Sequence, residues 1–268
     1  MPPAAVYLDL QTNYAIHQMF TSCLAHMAYI IVSDGECAII DPLRELDPYL
    51  KFIKEKGLNL KYIFETHFHA DFVSGHFDLS QKTGAHIVFG PTAQSDFDIK
   101  VASDNEMFKI GKIHLKVLHT PGHTMESSCY LLLDGEEQKC IFTGDTLFLG
   151  EVGRPDLAVK SEEITKEDLA ELLFDSLRNK IMTLDPKCIV YPAHGAGSPC
   201  GKKISTGTYD VLENQLKTNY ALQEMSKKDF VEMATLDLPT PPQYFGHDVS
   251  MNKGKAQAVE DVIQRGLI

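Results

Sequence analysis

The sequence lacks several features that would mark other classes of protein. None of its six cysteines forms a Cys-x-x-Cys pair, which argues against a thiolate zinc site, and six cysteines in 268 residues are too sparse for a disulfide scaffold. The formal net charge of −12 argues against a nucleic-acid partner, because such binding requires a basic surface. No apolar run is long enough to span a bilayer, and no basic segment followed by an apolar one opens the chain. We therefore expect a soluble, cytoplasmic protein that binds neither nucleic acid nor a membrane.

The apolar residues are sufficient for a full core and alternate between strand and helix patterns. The hydrophobic content is 44%, and the length suits one large domain or two small ones. The turn Asp34-Gly35 predicts a hairpin between strands at 27–33 and 36–41. Helical spacing of apolar residues predicts a helix over 71–83 that ends at Gly84. Strands that alternate with helices predict two sheets with helices outside them.

A proline-rich break at 239–242 interrupts the helical C-terminal part. The 26 residues that follow Pro242 are too few for a second domain. We therefore predict a main domain over residues 1–242 and a C-terminal extension over 243–268.

Four strand ends carry side chains that can bind a metal ion. In chain order these are His67, His69 and Asp71, then His123, then Asp145, then His194. Each has a simpler explanation on its own, since aspartates cap helices and histidines occur in turns. Their repetition at four strand-to-loop junctions favours a shared metal site. We interpret the remaining histidines as structural: His17, His26, His76, His86, His114, His119 and His247.

These motifs resemble those of the metallo-β-lactamase superfamily. The matching segments are Thr-His-x-His-x-Asp at 66–71, Thr-Pro-Gly-His-Thr at 120–124, Phe-Thr-Gly-Asp-Thr at 142–146 and Tyr-Pro-Ala-His-Gly at 191–195. The resemblance covers most of residues 15–200. It implies an α/β (α+β) fold, an αββα sandwich of two mixed β-sheets flanked by helices, with the metal at one edge of the sheets.

Within that superfamily the sequence is most similar to the persulfide dioxygenase branch, the sulfur dioxygenases related to the ethylmalonic encephalopathy protein. The matches lie at 65–71, 144–150 and 152–156. Bacterial members that carry added rhodanese domains resemble it still more, through 70–76 and 194–202. No rhodanese module fits in this chain, so we expect a stand-alone member or a catalytic fragment.

The resemblance assigns one iron(II) ion, for which zinc can substitute, to His67, His123 and Asp145. Two histidines and one carboxylate with open positions are the donor set of non-haem iron(II) oxygenases. The resemblance gives three further side chains the role of orienting the ligands or a bound oxygen species: His69, Asp71 and His194. In zinc hydrolases of this fold the counterpart of His69 is itself a ligand, so its role stays open.

Phe72 distinguishes this sequence from the dinuclear hydrolases of the fold. Those enzymes normally have histidine at this position, where it helps to hold a second metal ion. A phenyl ring has no lone pair, so Phe72 removes a ligand and adds an apolar wall. The sequence therefore favours a site with one metal ion.

The resemblance implies a persulfide dioxygenase, which uses O2 to oxidise a thiol persulfide, R-S-SH, to sulfite and the thiol in sulfide detoxification and sulfur metabolism. One alternative is a metal-dependent thioester hydrolase of the glyoxalase II type. Another is a non-catalytic sulfur-binding or metal-sensing module. The expected partners are a low-molecular-weight or protein persulfide, a separate rhodanese (sulfurtransferase), and further copies of the chain in a dimer or tetramer.

The substrate is less well defined by the sequence. Members that use glutathione persulfide have an Asn-Pro-Arg stretch beyond the last histidine, but the nearest match here, 219–221, lacks the arginine. Candidate groups for an anionic part of the substrate are Arg154, Lys202, Lys203 and Tyr209. Solvated loop residues are the alternative for each of them.

Cys200 lies six residues after His194 and beside Lys202 and Lys203. Nearby cations lower a thiol pKa, so we predict a reactive thiolate that carries a persulfide near the iron. An exposed, unreactive loop cysteine is the alternative. Cys23, just before the predicted hairpin, is a second candidate to approach the pocket.

Overall fold

The computed structural model describes residues 12–158 and 163–254. The start of the predicted main domain, residues 1–11, and most of the predicted C-terminal extension, residues 255–268, lie outside the described residues. The division at residue 242 stays a prediction. In the described part, no helix is both long enough and apolar enough to cross a membrane.

The first sheet contains six strands that lie side by side in chain order. They are β1 (Ala15–Thr21), β2 (His26–Ser33), β3 (Glu36–Ile40), β4 (Asn59–Phe64), β5 (His86–Phe89) and β6 (Lys100–Val101). The first three strands pair antiparallel, and β3 to β6 pair in parallel. Asp34 and Gly35 have φ of 50° and 79°, as a tight turn between twisted strands requires. The predicted hairpin is therefore confirmed.

The second sheet also has six strands. They are β7 (Met107–Ile110), β8 (Ile113–His119), β9 (Ser128–Asp134), β10 (Glu137–Gly144), β11 (Ile189–Pro192) and β12 (Asp210–Val211). The order across the sheet is β12-β11-β10-β9-β8-β7. Only β10 and β11 pair in parallel among these described strands, so this sheet is mixed as well.

Among the described residues, six α-helices cover the outer faces of the two sheets and form the C-terminal part. They are α1 (Asp47–Lys56), α2 (His76–Thr83), α3 (Lys166–Ser176), α4 (Leu212–Thr218), α5 (Lys227–Thr235) and α6 (Phe245–Lys253). Tyr49 of α1 and Leu79 of α2 pack on the first sheet, whereas Leu173 of α3 and Phe230 of α5 pack on the second. A third apolar layer fills the space between the two sheets. This arrangement confirms the predicted αββα sandwich of two mixed sheets.

Two tyrosines tie the sheets together. The Tyr29 hydroxyl on β2 donates to the carbonyl of Pro192, at the end of β11, at 2.5 Å. The Tyr130 hydroxyl on β9 donates to the carbonyl of Glu65, just after β4, at 2.7 Å. Both bonds are buried, and each ties a strand of one sheet to a strand end of the other.

The predicted helix over 71–83 begins five residues later than expected, at His76. The backbone of the preceding residues is bonded elsewhere: the Ser74 N–H donates to Asn252 Oδ1 at 2.8 Å, and the Gly75 N–H donates to the Pro42 carbonyl at 2.8 Å. Residues 71–75 therefore form a loop that is held by distant parts of the chain, which local apolar spacing does not reveal.

Candidate metal centre

Three side chains from three strand ends meet at one edge of the sandwich. His67 follows β4, His123 follows β8 and Asp145 follows β10, and their ligand atoms all lie within 4.8 Å of one another. Asp145 Oδ2 is 3.5 Å from His123 Nε2 and 3.9 Å from His67 Nε2. This oxygen is buried and has no hydrogen-bond partner among the described residues. Two imidazole nitrogens and a carboxylate oxygen that converge in this way fit a metal ion.

Two glycines permit this convergence. Gly144 has φ of +52°, and a Cβ at this position would lie 2.6 Å from Oγ1 of Thr66 in the other sheet. A Cβ at Gly153 would lie 1.9 Å from the Asp145 carbonyl oxygen and 2.9 Å from His123 Nδ1. A larger residue at either place would push the ligand loops apart.

Hydrogen bonds from behind orient both ligand imidazoles. Thr66 Oγ1 donates to Asp41 Oδ2 at 2.9 Å, so it accepts from His67 Nδ1 at 3.0 Å. His123 Nδ1 donates to the carbonyl of Arg154 at 2.9 Å. Each ring therefore directs the lone pair of Nε2 toward the cluster, which is the tautomer that a metal ion needs. Burial lowers the pKa of His67 well below its ordinary value, which favours the neutral form.

His194 joins two carboxylates beside the cluster. Its Nδ1 donates to Asp145 Oδ1 at 2.8 Å, and its Nε2 lies 2.8 Å from Asp71 Oδ2 in a buried ion pair. Burial alone would lower the pKa of His194, but Asp145 and Asp71 outweigh it and raise this pKa to about 10. Burial likewise opposes ionisation of Asp145, yet His194 and the two ligand histidines hold its pKa well below the ordinary value. Asp145 is therefore an anion with Oδ2 directed at the cluster.

His69 lies beside His67, with ring centroids 4.1 Å apart, but its Nε2 is near two carboxylates. Its Nε2 lies 3.2 Å from Asp41 Oδ1 and 3.4 Å from Glu65 Oε2, and all three residues are buried. Burial would lower the pKa of His69, but these two carboxylates raise it well above the ordinary value. His69 is thus a cation between two acids and lies outside the cluster of His67, His123 and Asp145.

Phe72 closes the side of the site next to His69. Its buried ring lies 4.3 Å from the ring of His69 and 4.3 Å from that of His26, measured between centroids. The His26 ring is also 5.2 Å from that of His194, and its Nε2 bonds to the Asp41 carbonyl oxygen at 2.9 Å. Burial lowers the pKa of His26 to about 3, so it is neutral. His26 thus borders the centre as well as supporting the fold.

Cys200 lies beside the centre but not in the form that its sequence context suggests. Its thiol is only 1% exposed, and its sulfur lies within 4.8 Å of ligand atoms of Asp71 and His194. Burial, with Asp71 and Asp145 nearby, raises the pKa of this thiol well above its ordinary value. The Lys202 ammonium is turned away and donates to the carbonyl of Met233 at 2.6 Å. The prediction that cations activate the Cys200 thiolate is therefore wrong, and so is the alternative that Cys200 is exposed. Cys23 is an exposed cysteine.

Arg154 supports the ligand loops instead of lining an open pocket. It is 2% exposed, and its guanidinium binds both carboxylate oxygens of Asp156 and the carbonyls of Pro199 and Pro239. Its own carbonyl is the group that orients His123. With its donors engaged in this way, Arg154 is not free to bind substrate as expected.

A cavity of about 460 Å³ opens beside His123. Phe68, Ala70, Leu157 and Val249 give it apolar walls, and Lys253 lies among its polar residues. The expected substrate groups Lys202, Lys203 and Tyr209 do not line this cavity within the described chain. Tyr209 is 50% exposed and packs near Tyr191, with ring centroids 5.8 Å apart.

Besides His26, three further residues of the site were not found from the sequence. Asp41 and Glu65 follow the buried strands β3 and β4, so the argument that selected Asp145 at a strand end applies to them equally. Asn252, on α6, donates to the carbonyls of His69 and Phe72 at 2.8 and 2.9 Å. No local pattern marks Asn252, because its partners lie about 180 residues earlier.

Comparison with known proteins supports the resemblance seen in the motifs. A sequence model described as the metallo-beta-lactamase superfamily matches residues 21–194. The human mitochondrial persulfide dioxygenase ETHE1 is 31% identical over 233 residues, which cover 85% of this chain and 84% of that protein. Relatives named as hydroxyacylglutathione hydrolases, from Schizosaccharomyces pombe and Pelagibacter ubique, match over smaller shares of the chain.

Similar crystal structures include two that cover at least 90% of the chain with TM-scores above 0.7. A metallo-beta-lactamase from Staphylococcus aureus subsp. aureus COL has a TM-score of 0.87 and 33% identity, covering 92% of this chain and 75% of that one. ETHE1 from Myxococcus xanthus has a TM-score of 0.76 and 26% identity, covering 90% of this chain and 99% of that one. The fold and the motif resemblance are thus confirmed by independent comparisons.

Proposed function

This chain belongs to the metallo-beta-lactamase superfamily, and we propose that it is a persulfide dioxygenase with one iron(II) ion held by His67, His123 and Asp145. Such an enzyme converts R-S-SH, O2 and water to sulfite and the thiol R-SH. One observation carries the proposal: a buried set of two histidines and one carboxylate, with a phenyl ring beside it where a hydrolase has histidine. This donor set is the one that non-haem iron(II) oxygenases use.

Iron(II), when bound, supplies the redox chemistry that allows O2 to react with sulfur. The chain itself presents the donor atoms in the required protonation state. Thr66 and the Arg154 carbonyl fix the Nδ1–H tautomers of His67 and His123. His194 holds Oδ1 of Asp145 and leaves Oδ2 for the metal ion. These partners matter because the loss of a group behind a metal ligand commonly lowers metal affinity roughly 10- to 100-fold.

The cavity beside His123 suits the substrate. Phe68, Ala70 and Leu157 offer apolar contact to the polarisable sulfur atoms and shield them from water. His123 lines the same cavity, so a bound persulfide reaches the metal centre from this side. A site of about 460 Å³ lies within the size range of small-molecule pockets.

A thioester hydrolase of the glyoxalase II type is the second candidate. The cluster of Asp71, His194 and Cys200 favours it, because these groups could hold a second metal ion. However, His194 Nε2 faces Asp71 Oδ2 in a buried ion pair without a hydrogen bond, and Phe72 adds no donor beside them. The dioxygenase therefore remains the better fit.

Metal analysis combined with an oxygen electrode separates the two candidates. We expect one iron per chain after anaerobic loading, O2 uptake when a persulfide is added, and one sulfite formed for each O2 consumed. The persulfides of glutathione, coenzyme A and cysteine are suitable substrates for a first test. Two zinc ions per chain with hydrolysis of S-D-lactoylglutathione and no O2 uptake would show that the proposal is wrong.

A further inference from the structure

The end of α6 places a lysine at the cavity beside His123. We propose that Lys253 recognises the anionic group of the substrate, so that this site takes an anionic, low-molecular-weight thiol persulfide. The inference rests on the proposed persulfide chemistry and adds a specificity-determining residue to it. The anionic group is a carboxylate or a phosphate on the part of the thiol that points away from the metal.

Hydrogen bonds fix the backbone around Lys253 to two parts of the chain, which are Asp96 and the loop from His69 to Ser74 that follows the ligand His67. Its carbonyl accepts from the Asp96 N–H at 2.8 Å. The preceding residue, Asn252, donates to the carbonyls of His69 and Phe72 and accepts from the Ser74 N–H at 2.8 Å. Asn252 is 1% exposed, so these three bonds are shielded from water. These bonds set the position of the Lys253 backbone relative to the loop that carries His69 and Phe72, whereas the Lys253 side chain itself is exposed.

The side chain of Lys253 extends over the cavity. Its ammonium lies 5.2 Å from the ring centroid of Phe68, which directly follows the ligand His67 and forms part of the cavity wall. Within the described residues, no ion pair or hydrogen bond is made by this ammonium. Glu126 also lines the cavity, but its Oε1 accepts from the Phe68 N–H at 3.1 Å.

A lysine in the last turn of a helix has a simpler role, which is to interact with the negative end of the helix dipole. Two observations go beyond that role. The side chain is directed to Phe68 and the cavity, and its ammonium makes no ion pair or hydrogen bond within residues 12–158 and 163–254, in a protein whose formal net charge is −12. A cation over an aromatic wall beside a metal centre is suited to hold the charged tail of a thiol while its sulfur faces the metal ligands.

Substrates that differ in charge test this assignment. Lys253→Met removes the charge and keeps the aliphatic chain, and Lys253→Glu reverses the charge. Because hydrogen bonds to charged groups contribute about 1.5–3 kcal/mol, Lys253→Met should raise KM for an anionic persulfide roughly 10- to 100-fold with kcat nearly unchanged. KM for the uncharged persulfide of 2-mercaptoethanol should stay constant. Lys253→Glu should weaken the anionic substrate further.

The comparison of two anionic substrates identifies the recognised group. A larger effect on glutathione persulfide points to a carboxylate, and a larger effect on coenzyme A persulfide points to a phosphate. Lys112→Met is the matched control, because Lys112 is exposed and pairs with Asp34 outside the cavity. An equal rise in KM for charged and uncharged persulfides would overturn the proposal.

Calorimetric binding of the thiols themselves keeps this test separate from turnover. Glutathione and coenzyme A need no reaction to bind, so they report on Lys253 even if no persulfide is oxidised. Weaker binding of an anionic thiol to Lys253→Met supports the assignment, whatever the oxygen electrode shows. If both anionic thiols bind wild type and Lys253→Met alike, or bind wild type no better than 2-mercaptoethanol does, Lys253 is not the recognition residue.

Discussion

Phe72 offers no metal ligand beside Asp71 and His194, the side chains that could hold a second metal ion. Its ring packs between the rings of His26 and His69, in a space that an imidazole would also fill. We expect Phe72→His to add a nitrogen donor near Asp71 and His194 and to raise the zinc content from one toward two ions per chain. Elemental analysis after loading with excess zinc measures the change.

Phe72→Leu is the control for this substitution, because it keeps the position apolar and should leave one ion per chain. An unchanged zinc content in Phe72→His would mean that the ion pairs of His194, and not the phenyl ring, keep the second ion out.

Asp145 is the carboxylate of the three converging ligands. Asp145→Ala removes that ligand, and we expect metal affinity to fall by at least ~100-fold, since even partners behind a ligand commonly change affinity 10- to 100-fold. Iron content after dialysis measures this loss, and circular dichroism checks that the variant remains folded. Asp175→Ala, at a surface aspartate that pairs with Lys227, should keep its iron. Full retention of iron in Asp145→Ala would contradict the ligand assignment.

The sequence predicted the roles of side chains that depend on their own strand end and loop. It did not predict the roles of side chains whose partners are distant in sequence. His67, His123 and Asp145 each follow an apolar strand, and the structure brings them together. The role of Arg154 depends on partners at Pro199 and Pro239, 45 and 85 residues away in sequence. Two lysines lie close to Cys200 in sequence. In the folded chain, however, the Lys202 ammonium binds a carbonyl of α5 and the Cys200 thiol is buried.

At the scale of whole elements, the contacts of α6 with the metal centre were the least predictable from the sequence. It follows the proline-rich break, yet Phe245 and Val249 pack with Ala70, which lies between His69 and Asp71. The late start of α2 has the same origin, because Asn252 of α6 binds the Ser74 N–H that a longer helix would have used. Helix periodicity reflects only the spacing of residues within one element. It therefore cannot show that a distant side chain, here Asn252, competes for a backbone N–H.

Asn252→Ala tests how strongly α6 supports the loop from His69 to Ser74, which follows the ligand His67. The substitution leaves two carbonyls and one N–H of the loop without their partner, and we expect a loss of roughly 3 kcal/mol in the free energy of unfolding. For a chain of this size, that loss lowers Tm by about 6–12 °C. Thermal unfolding followed by circular dichroism measures the shift.

Asn214→Ala is the matched control, since the Asn214 amide bonds to Asp210 at an exposed position. A Tm for Asn252→Ala equal to that of the control would show that the loop does not depend on α6.

At the scale of the whole molecule, the centre joins the two sheets. His67 comes from the first sheet, whereas His123 and Asp145 come from the second. Tyr29 and Tyr130 hold the same edges together by hydrogen bonds, so the sandwich does not rely on the metal ion alone. A bound ion nevertheless adds a link that exists only when both sheets are in place.

Metal removal should therefore lower the stability of the entire sandwich. A ligand that binds only the folded state stabilises it by about 2.7 kcal/mol when its free concentration is 100 times Kd. With roughly 2–4 °C per kcal/mol for a chain of this size, chelation should lower Tm by about 5–11 °C. Calorimetric scans of the iron-loaded and the chelator-treated protein measure the difference. Asp145→Ala lacks the carboxylate ligand and should show almost no response to the chelator. If wild type unfolds at the same temperature with and without metal, the ion does not connect the two sheets.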